Sequence, residues 1–153
     1  MTDRLYFDDA YLTAFDARVL DIQQRADGPW LLLDRSAFYP TSGGQPYDTG
    51  TLSGPGGAVQ VLDVQQNDAG EVWHRVDRPL PQGDAVHGQV DWARRLDHMQ
   101  QHGGEHILAG SVWALFQGYT HGLHIGAEDA TIDVTMPGGR TRLTDQEIAE
   151  LED

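Results

Sequence analysis

Up to about Val90 the apolar positions come in short runs separated by turn formers, the pattern of strands rather than helices. The expected strands are Ala17 to Gln23, Trp30 to Asp34, Val59 to Val64, Val72 to Val76 and Ala85 to Val90. Between them lie SGPGGA at Ser53 to Ala58 and NDAG at Asn67 to Gly70, both rich in residues that reverse a chain. Repeated short strands with such turns predict a small barrel or antiparallel sheet.

From Trp92 the period changes. Leu96, Met99, Ile107, Leu108, Val112, Leu115 and Phe116 recur at three- and four-residue intervals, one stripe of a long helix read here as core. A strand near Ala130 to Thr135 and a last helix from Asp145 follow. Thr144 and Glu147 have capping-box spacing, with Leu143 and Ile148 as the hydrophobic staple. The expected class is α+β, with a barrel-like subdomain over residues 1–91 and a second subdomain over 92–153 built on the long helix. Trp30, Trp73, Trp92 and Trp113 stand beside apolar residues and are expected in the core or the barrel seam, and His74 and His87 are expected to face solvent.

Composition narrows the chemistry. The chain of 153 residues has no cysteine, which removes disulfides, thiolate catalysis and cysteine-containing zinc sites. There is no 18-residue apolar stretch and no signal peptide, so a cytoplasmic protein without a membrane span is expected. Ten arginines, no lysine and 24 acidic residues give a formal charge of -14, an unfavourable balance for tight nucleic-acid binding. A local basic patch would have to come from Arg94, Arg95, Arg140 and Arg142. Neither GxGxxG nor GxxxxGKS is present, so no ATP-using aminoacylation is expected.

The most informative segment is MQQHGGEHILAG, Met99 to Gly110, which puts His102 and His106 four residues apart on one helix face. Two imidazoles so spaced can hold a divalent metal, zinc being the usual occupant, although a pair is half a site and an unliganded helix face is the ordinary alternative. Gly103 and Gly104 between them cost the helix roughly 1 kcal/mol each relative to alanine, which suggests that something approaches the backbone there. A second segment, DRSAFYPTSGGQPYDTG from Asp34 to Gly50, places Gln45 after two glycines that let the backbone bend around a small ligand. Ser36 and Thr41 are candidate hydroxyls for the same pocket. Phe38, Tyr39 and Pro40 would shape its wall, and Asp48 and Gly50 could serve only the following turn.

These two segments, in this order, resemble the AlaX-type alanyl-tRNA editing proteins, which are similar to the editing domain of alanyl-tRNA synthetase. His124 in HGLHIG and Asp133 in ATIDV match further family positions, so the resemblance spans nearly the whole chain. It implies a barrel-like N-terminal part before an α/β editing core. It also implies hydrolysis, in trans, of the ester joining serine or glycine to the terminal ribose of alanine tRNA. Editing of this kind is needed because a site sized for alanine excludes neither glycine nor, efficiently, serine. Residues and resemblance together give the expected site: His102 and His106 as zinc ligands, Gly43, Gly44 and Gln45 in the substrate pocket, and Gln45, Ser36 and Thr41 as the catalytic set, with Gln45 and Ser36 matching family positions. The partner implied is mischarged alanine tRNA.

The chain departs from the pattern at its end. The family completes its zinc site with a Cys and a His on a downstream segment, and neither occurs before Asp153. The second subdomain is thus read as truncated, as a natural short form, or as recruiting His98, His121, His124 or Asp133. The last is the weakest, since the resemblance gives His124 and Asp133 other roles. A weak or incomplete zinc site is expected. Two other functions stay open: an editing-like binding or assembly module without catalysis, and a zinc peptidase, because Glu105 makes the segment read HxxEH.

Overall fold

A computed structural model describes residues 1–126 and 129–152. It contains ten strands and two α-helices: β1 (Asp3–Arg4), β2 (Ala14–Arg25), β3 (Gly28–Leu33), β4 (Arg35–Ser36), β5 (Gly50–Gly54), β6 (Gly57–Gln66), β7 (Val72–Val76), β8 (Ala85–Val90), α1 (Trp92–Phe116), β9 (Tyr119–Ile125), β10 (Ala130–Thr135) and α2 (Asp145–Glu152). Two compact units result. One comprises Met1–Ser42 with Pro46–Leu96, the other Gly43–Gln45 with Asp97–Asp153. Among the described residues no helix is long and apolar enough to cross a membrane.

The first unit is a closed antiparallel barrel of order β2-β3-β7-β6-β5-β8, with β8 pairing back onto β2. Side chains alternate across each strand, so every second residue points inward. Phe15, Ala17 and Val19 of β2, Leu31 and Leu33 of β3, Val59, Val61 and Val64 of β6, and Val86 and Val90 of β8 all enter the same buried cluster. Bulges between Val19 and Asp21 and between Val61 and Asp63 re-aim β2 and β6. Closure removes the open edges that a six-stranded sheet would otherwise expose. Gly88 has a packing reason, since a Cβ there would lie 2.4 Å from the Phe15 ring. On the outer face Trp30, Leu32 and Trp73 form a second cluster, over which the Arg25 guanidinium lies 4.4 Å from the Trp30 ring.

One of the two imidazoles on the barrel strands lies inside, while the other, His87 on β8, faces solvent as expected. His74, expected at the surface, is completely buried on β7, because the alternation of that strand gives way to VWHRV, whose first three residues are all buried. Its Nδ1 donates to the Leu31 carbonyl (3.2 Å) and its Nε2 accepts from the Ser36 hydroxyl (2.7 Å), which itself accepts from the Phe38 amide. Burial pushes His74 down to about 4 from an ordinary value of 6.5. As pH falls below 6.5 the unfolded chain takes up a proton that the folded chain refuses until about 4, so stability is full above this window and is lost across it. A gap of that size corresponds to about 3 kcal/mol. Urea unfolding between pH 7 and 4 is expected to show this loss in the wild type and a flatter profile in His74→Gln. Parallel profiles would assign the acid sensitivity elsewhere.

An ion pair ties the start of α1 into the same unit. Arg95 and Asp48 are 3% and 0% exposed, and the guanidinium Nε reaches both carboxylate oxygens at 3.0 and 2.9 Å. The remaining guanidinium nitrogens donate to the carbonyls of Ala10 (2.8 Å) and Ala37 (2.6 Å), while Asp48 also accepts from the Tyr39 amide. Arg95 therefore contributes nothing to a surface basic patch. Arg94 donates to the Tyr47 carbonyl, and Arg140 is paired with Glu147.

In the second unit β9 and β10 form an antiparallel hairpin. The capping box of α2 is present: the Thr144 amide donates to Glu147 Oε2 (2.8 Å) and the Glu147 amide to Thr144 Oγ1 (3.3 Å). Hydrogen bonds from Arg140 and the Thr144 backbone hold the Glu147 carboxyl down at about 2. The expected staple is not closed over, as Ile148 is 43% exposed. The apolar stripe of α1 needs a larger correction. Val112 is buried, whereas Ile107 is 73%, Leu115 46% and Leu108 39% exposed, and Trp113, expected in the core, is 53% exposed. Within this unit a two-stranded hairpin and an eight-residue helix offer too little surface to cover a 25-residue helix. Among the described residues nothing lies within 4 Å of a Cβ built at Gly103 or Gly104, so the expected close approach is not made by them.

Candidate active site

The chemistry-bearing residues of the second unit meet where the Gly43–Gln45 segment lies against β9 and α1. The Ile125 amide donates to the Gly44 carbonyl (3.1 Å), pinning the segment to the strand. Gly44 has φ +85°, and a Cβ there would stand 2.2 Å from the Leu123 carbonyl oxygen. Only glycine allows this approach. The next residue, Gln45, is 7% exposed and points its amide at the helix.

There its Oε1 accepts from His102 Nδ1 at 2.9 Å. With Nδ1 carrying the proton, the lone pair of His102 sits on Nε2. That nitrogen lies 2.9 Å from His106 Nε2, and the two rings are stacked with centroids 4.8 Å apart. The pair thus turns two nitrogens toward one point, as the four-residue spacing predicts. Nitrogens that share a zinc at about 2.0–2.1 Å each must lie within about 4.2 Å of one another, and this pair does. The residues present therefore fit half of a zinc site. Among the described residues no group of three or more His, Cys, Asp or Glu side chains could hold a metal. His98 is buried, His121 faces Thr135 Oγ1 at 2.8 Å, and His124 and Asp133 are exposed on the hairpin.

The other sequence-derived site residues are placed as follows. Gly43 is exposed, with φ +59°. Ser36 belongs to the barrel unit, fully buried, its hydroxyl proton given to His74. Thr41, also in the barrel unit, is exposed, and its amide donates to the Val64 carbonyl. Missing from the sequence reading is the link between Gln45 and His102, residues separated by 57 positions. A glutamine behind two glycines signals a ligand contact as readily as a histidine partner, and only the pairing of Gly44 with β9 decides its aim.

A cavity of about 480 Å³ opens beside this pair, lined by Gly43, Glu105, His106, Ala109, Thr120, His121, Gly122, Leu123 and Ile132. Glycines and small aliphatic groups make most of its wall, which suits a small ligand.

Comparison with known proteins bears on what this geometry is for. The family described as tRNA synthetases class II (A) matches residues 10–94. The chain belongs to that family. It is 39% identical over 156 aligned positions to the alanine–tRNA ligase of Pyrococcus furiosus, an alignment covering 99% of this chain and 16% of the ligase. Identity to the alanine–tRNA ligase of Halobacterium salinarum is also 39%, over 96% of this chain and 16% of that protein. It is 46% identical over 110 positions to the alanyl-tRNA editing protein AlaX-M of Pyrococcus horikoshii, covering 71% of this chain and 47% of AlaX-M. The chain thus spans about one sixth of the ligases and about half of AlaX-M that it matches. The motif-based resemblance to the alanyl-tRNA synthetase and AlaX group holds on this footing.

If the histidine pair takes zinc, Gln45→Ala is expected to weaken that binding by about 10- to 100-fold, the usual cost of removing an orienting partner of a ligating histidine. Isothermal titration with zinc checks it. Affinity equal to the wild type would mean that Gln45 does not orient His102.

Proposed function

We propose that this protein hydrolyses mischarged alanine tRNA, releasing serine or glycine from the terminal ribose, and that it does so in trans. The observation that carries the reading is the Gln45–His102–His106 constellation beside a small cavity, in a chain similar to a protein named for alanyl-tRNA editing. Hydrolysis of an aminoacyl ester requires that the amino acid be held and that water be brought to the carbonyl. The cavity offers the first, with glycine walls that admit serine and glycine. His102 and His106 are the residues that would hold a zinc ion, whose contribution when bound is Lewis acidity. Gln45 holds the proton of His102 on Nδ1 and so keeps Nε2 free for that task. With the His102 proton on Nδ1, the Nε2–H of His106 donates to His102 Nε2, and for both Nε2 atoms to hold a metal the His106 proton would have to move to its Nδ1.

Among the described residues the pair supplies two ligands and no third. That same observation favours a second reading, an editing-like module that binds without catalysis. The HxxEH peptidase reading draws no support from the relatives, which are ligases and an editing protein. Deacylation of seryl-, glycyl- and alanyl-tRNA for alanine separates the first two. The proposal expects seryl- or glycyl-tRNA to be deacylated and alanyl-tRNA to be spared. Failure to hydrolyse any of the three would leave the binding module.

A further inference from the structure

Glu105 stands on α1 one residue before His106 and is 5% exposed. Both of its carboxylate oxygens are shielded from solvent and make no hydrogen bond to a described residue, and the same holds for the Thr120 hydroxyl, which lines the same cavity. An unpartnered carboxylate in a largely apolar pocket is unfavourable, and a ligand that donates hydrogen bonds to it relieves that penalty. Neither an arginine nor a lysine is among the described residues that line the cavity, and its two imidazoles, His106 and His121, face His102 and Thr135. A cationic hydrogen-bond donor on the ligand is the partner this carboxylate lacks.

We propose that Glu105 binds the α-ammonium group of the aminoacyl ester in this cavity. The inference rests on the editing reading for the identity of the ligand. An aminoacyl ester carries a free amino group on the carbon next to the scissile carbonyl, and a protonated amine is the donor that two bare carboxylate oxygens accept best. A site of this kind distinguishes aminoacyl from N-blocked esters. A metal ion is the less suited occupant. No cluster of three or more possible ligands among the described residues includes Glu105.

The test uses a hydrolysis-resistant adenosine analogue carrying serine through an amide at the 3′ position, and its N-acetylated counterpart, with binding followed by NMR. Wild-type protein is expected to prefer the free amine by about tenfold or more, and Glu105→Gln to lose that preference. Zinc affinity in Glu105→Gln is expected to stay at the wild-type value, and its melting temperature to stay level or rise, since an orphan carboxylate is removed. The wild-type comparison stands whatever the variant does. Equal binding of the two analogues, binding of neither, or a preference retained in Glu105→Gln would overturn the proposal. So would a fall in zinc affinity, which would make Glu105 a ligand, or a fall in melting temperature, which would make it a structural partner. Seryl-tRNA hydrolysis without amine preference would defeat this inference alone. Amine preference without hydrolysis would defeat the editing reading and leave Glu105 as an amine site.

Discussion

His102→Ala and His106→Ala are each expected to lower hydrolysis of seryl-tRNA by on the order of 100-fold or more, and to lower zinc affinity in step. Each substitution removes one of two nitrogens that stand 2.9 Å apart. One imidazole left alone has no neighbour with which to grip an ion, so the loss should be nearly the same for either variant. Neither side chain is part of the buried core: His106 is exposed and His102 half-buried. Unfolding transitions should therefore remain close to wild type, which separates loss of the site from loss of the fold. Deacylation kinetics with metal titration on the same preparations decide the matter. Wild-type rates in either variant would remove the histidine pair from the mechanism.

Arg95→Met is expected to destabilise the protein by about 3–5 kcal/mol, the usual cost of stranding one member of a buried ion pair. Here the stranded group is the Asp48 carboxylate, fully buried, and the carbonyls of Ala10 and Ala37 lose their donors as well. Against a total stability of about 5–15 kcal/mol for a domain of ordinary size, this is a large fraction. The double variant Arg95→Met with Asp48→Asn should recover part of the loss, because it removes the uncompensated charge. Urea denaturation of the three proteins measures the coupling. A loss below about 1 kcal/mol in Arg95→Met would show that solvent reaches Asp48 and that the pair behaves like a surface bridge.

The barrel was readable because its strands alternate and its turns are chemically marked. β7 and β8 match the expected ranges, and β10 matches in the second unit. β5 went unread because GTLSG looks like a turn, with Leu52 its single buried residue. β9 was hidden by the glycine and histidines of YTHGLHI, residues with little strand preference. The helix stripe misled for another reason: periodicity reports which residues share a face, not whether that face is covered. His74 shows the converse, since a polar residue in a strand can turn inward when a serine from another segment satisfies it.

At the candidate site the spacing of His102 and His106 carried its meaning in the sequence, because an α-helix converts a four-residue interval into proximity. Gln45 was picked out, but its aim was not, since contact with His102 depends on a hydrogen bond between Gly44 and β9. Glu105 stood in view only as a letter in HxxEH. Its burial without a partner is a property of the folded unit, formed by α1, β9 and the Gly43 turn together.

The measurement that tests the central claim most directly is the rate of seryl-tRNA deacylation by the wild-type chain with zinc chelated and then restored, alanyl-tRNA serving as control. Hydrolysis confined to seryl-tRNA, lost on chelation and regained with zinc, is the predicted result. Hydrolysis unaffected by chelation would contradict the account, because it would take the histidine pair out of the chemistry.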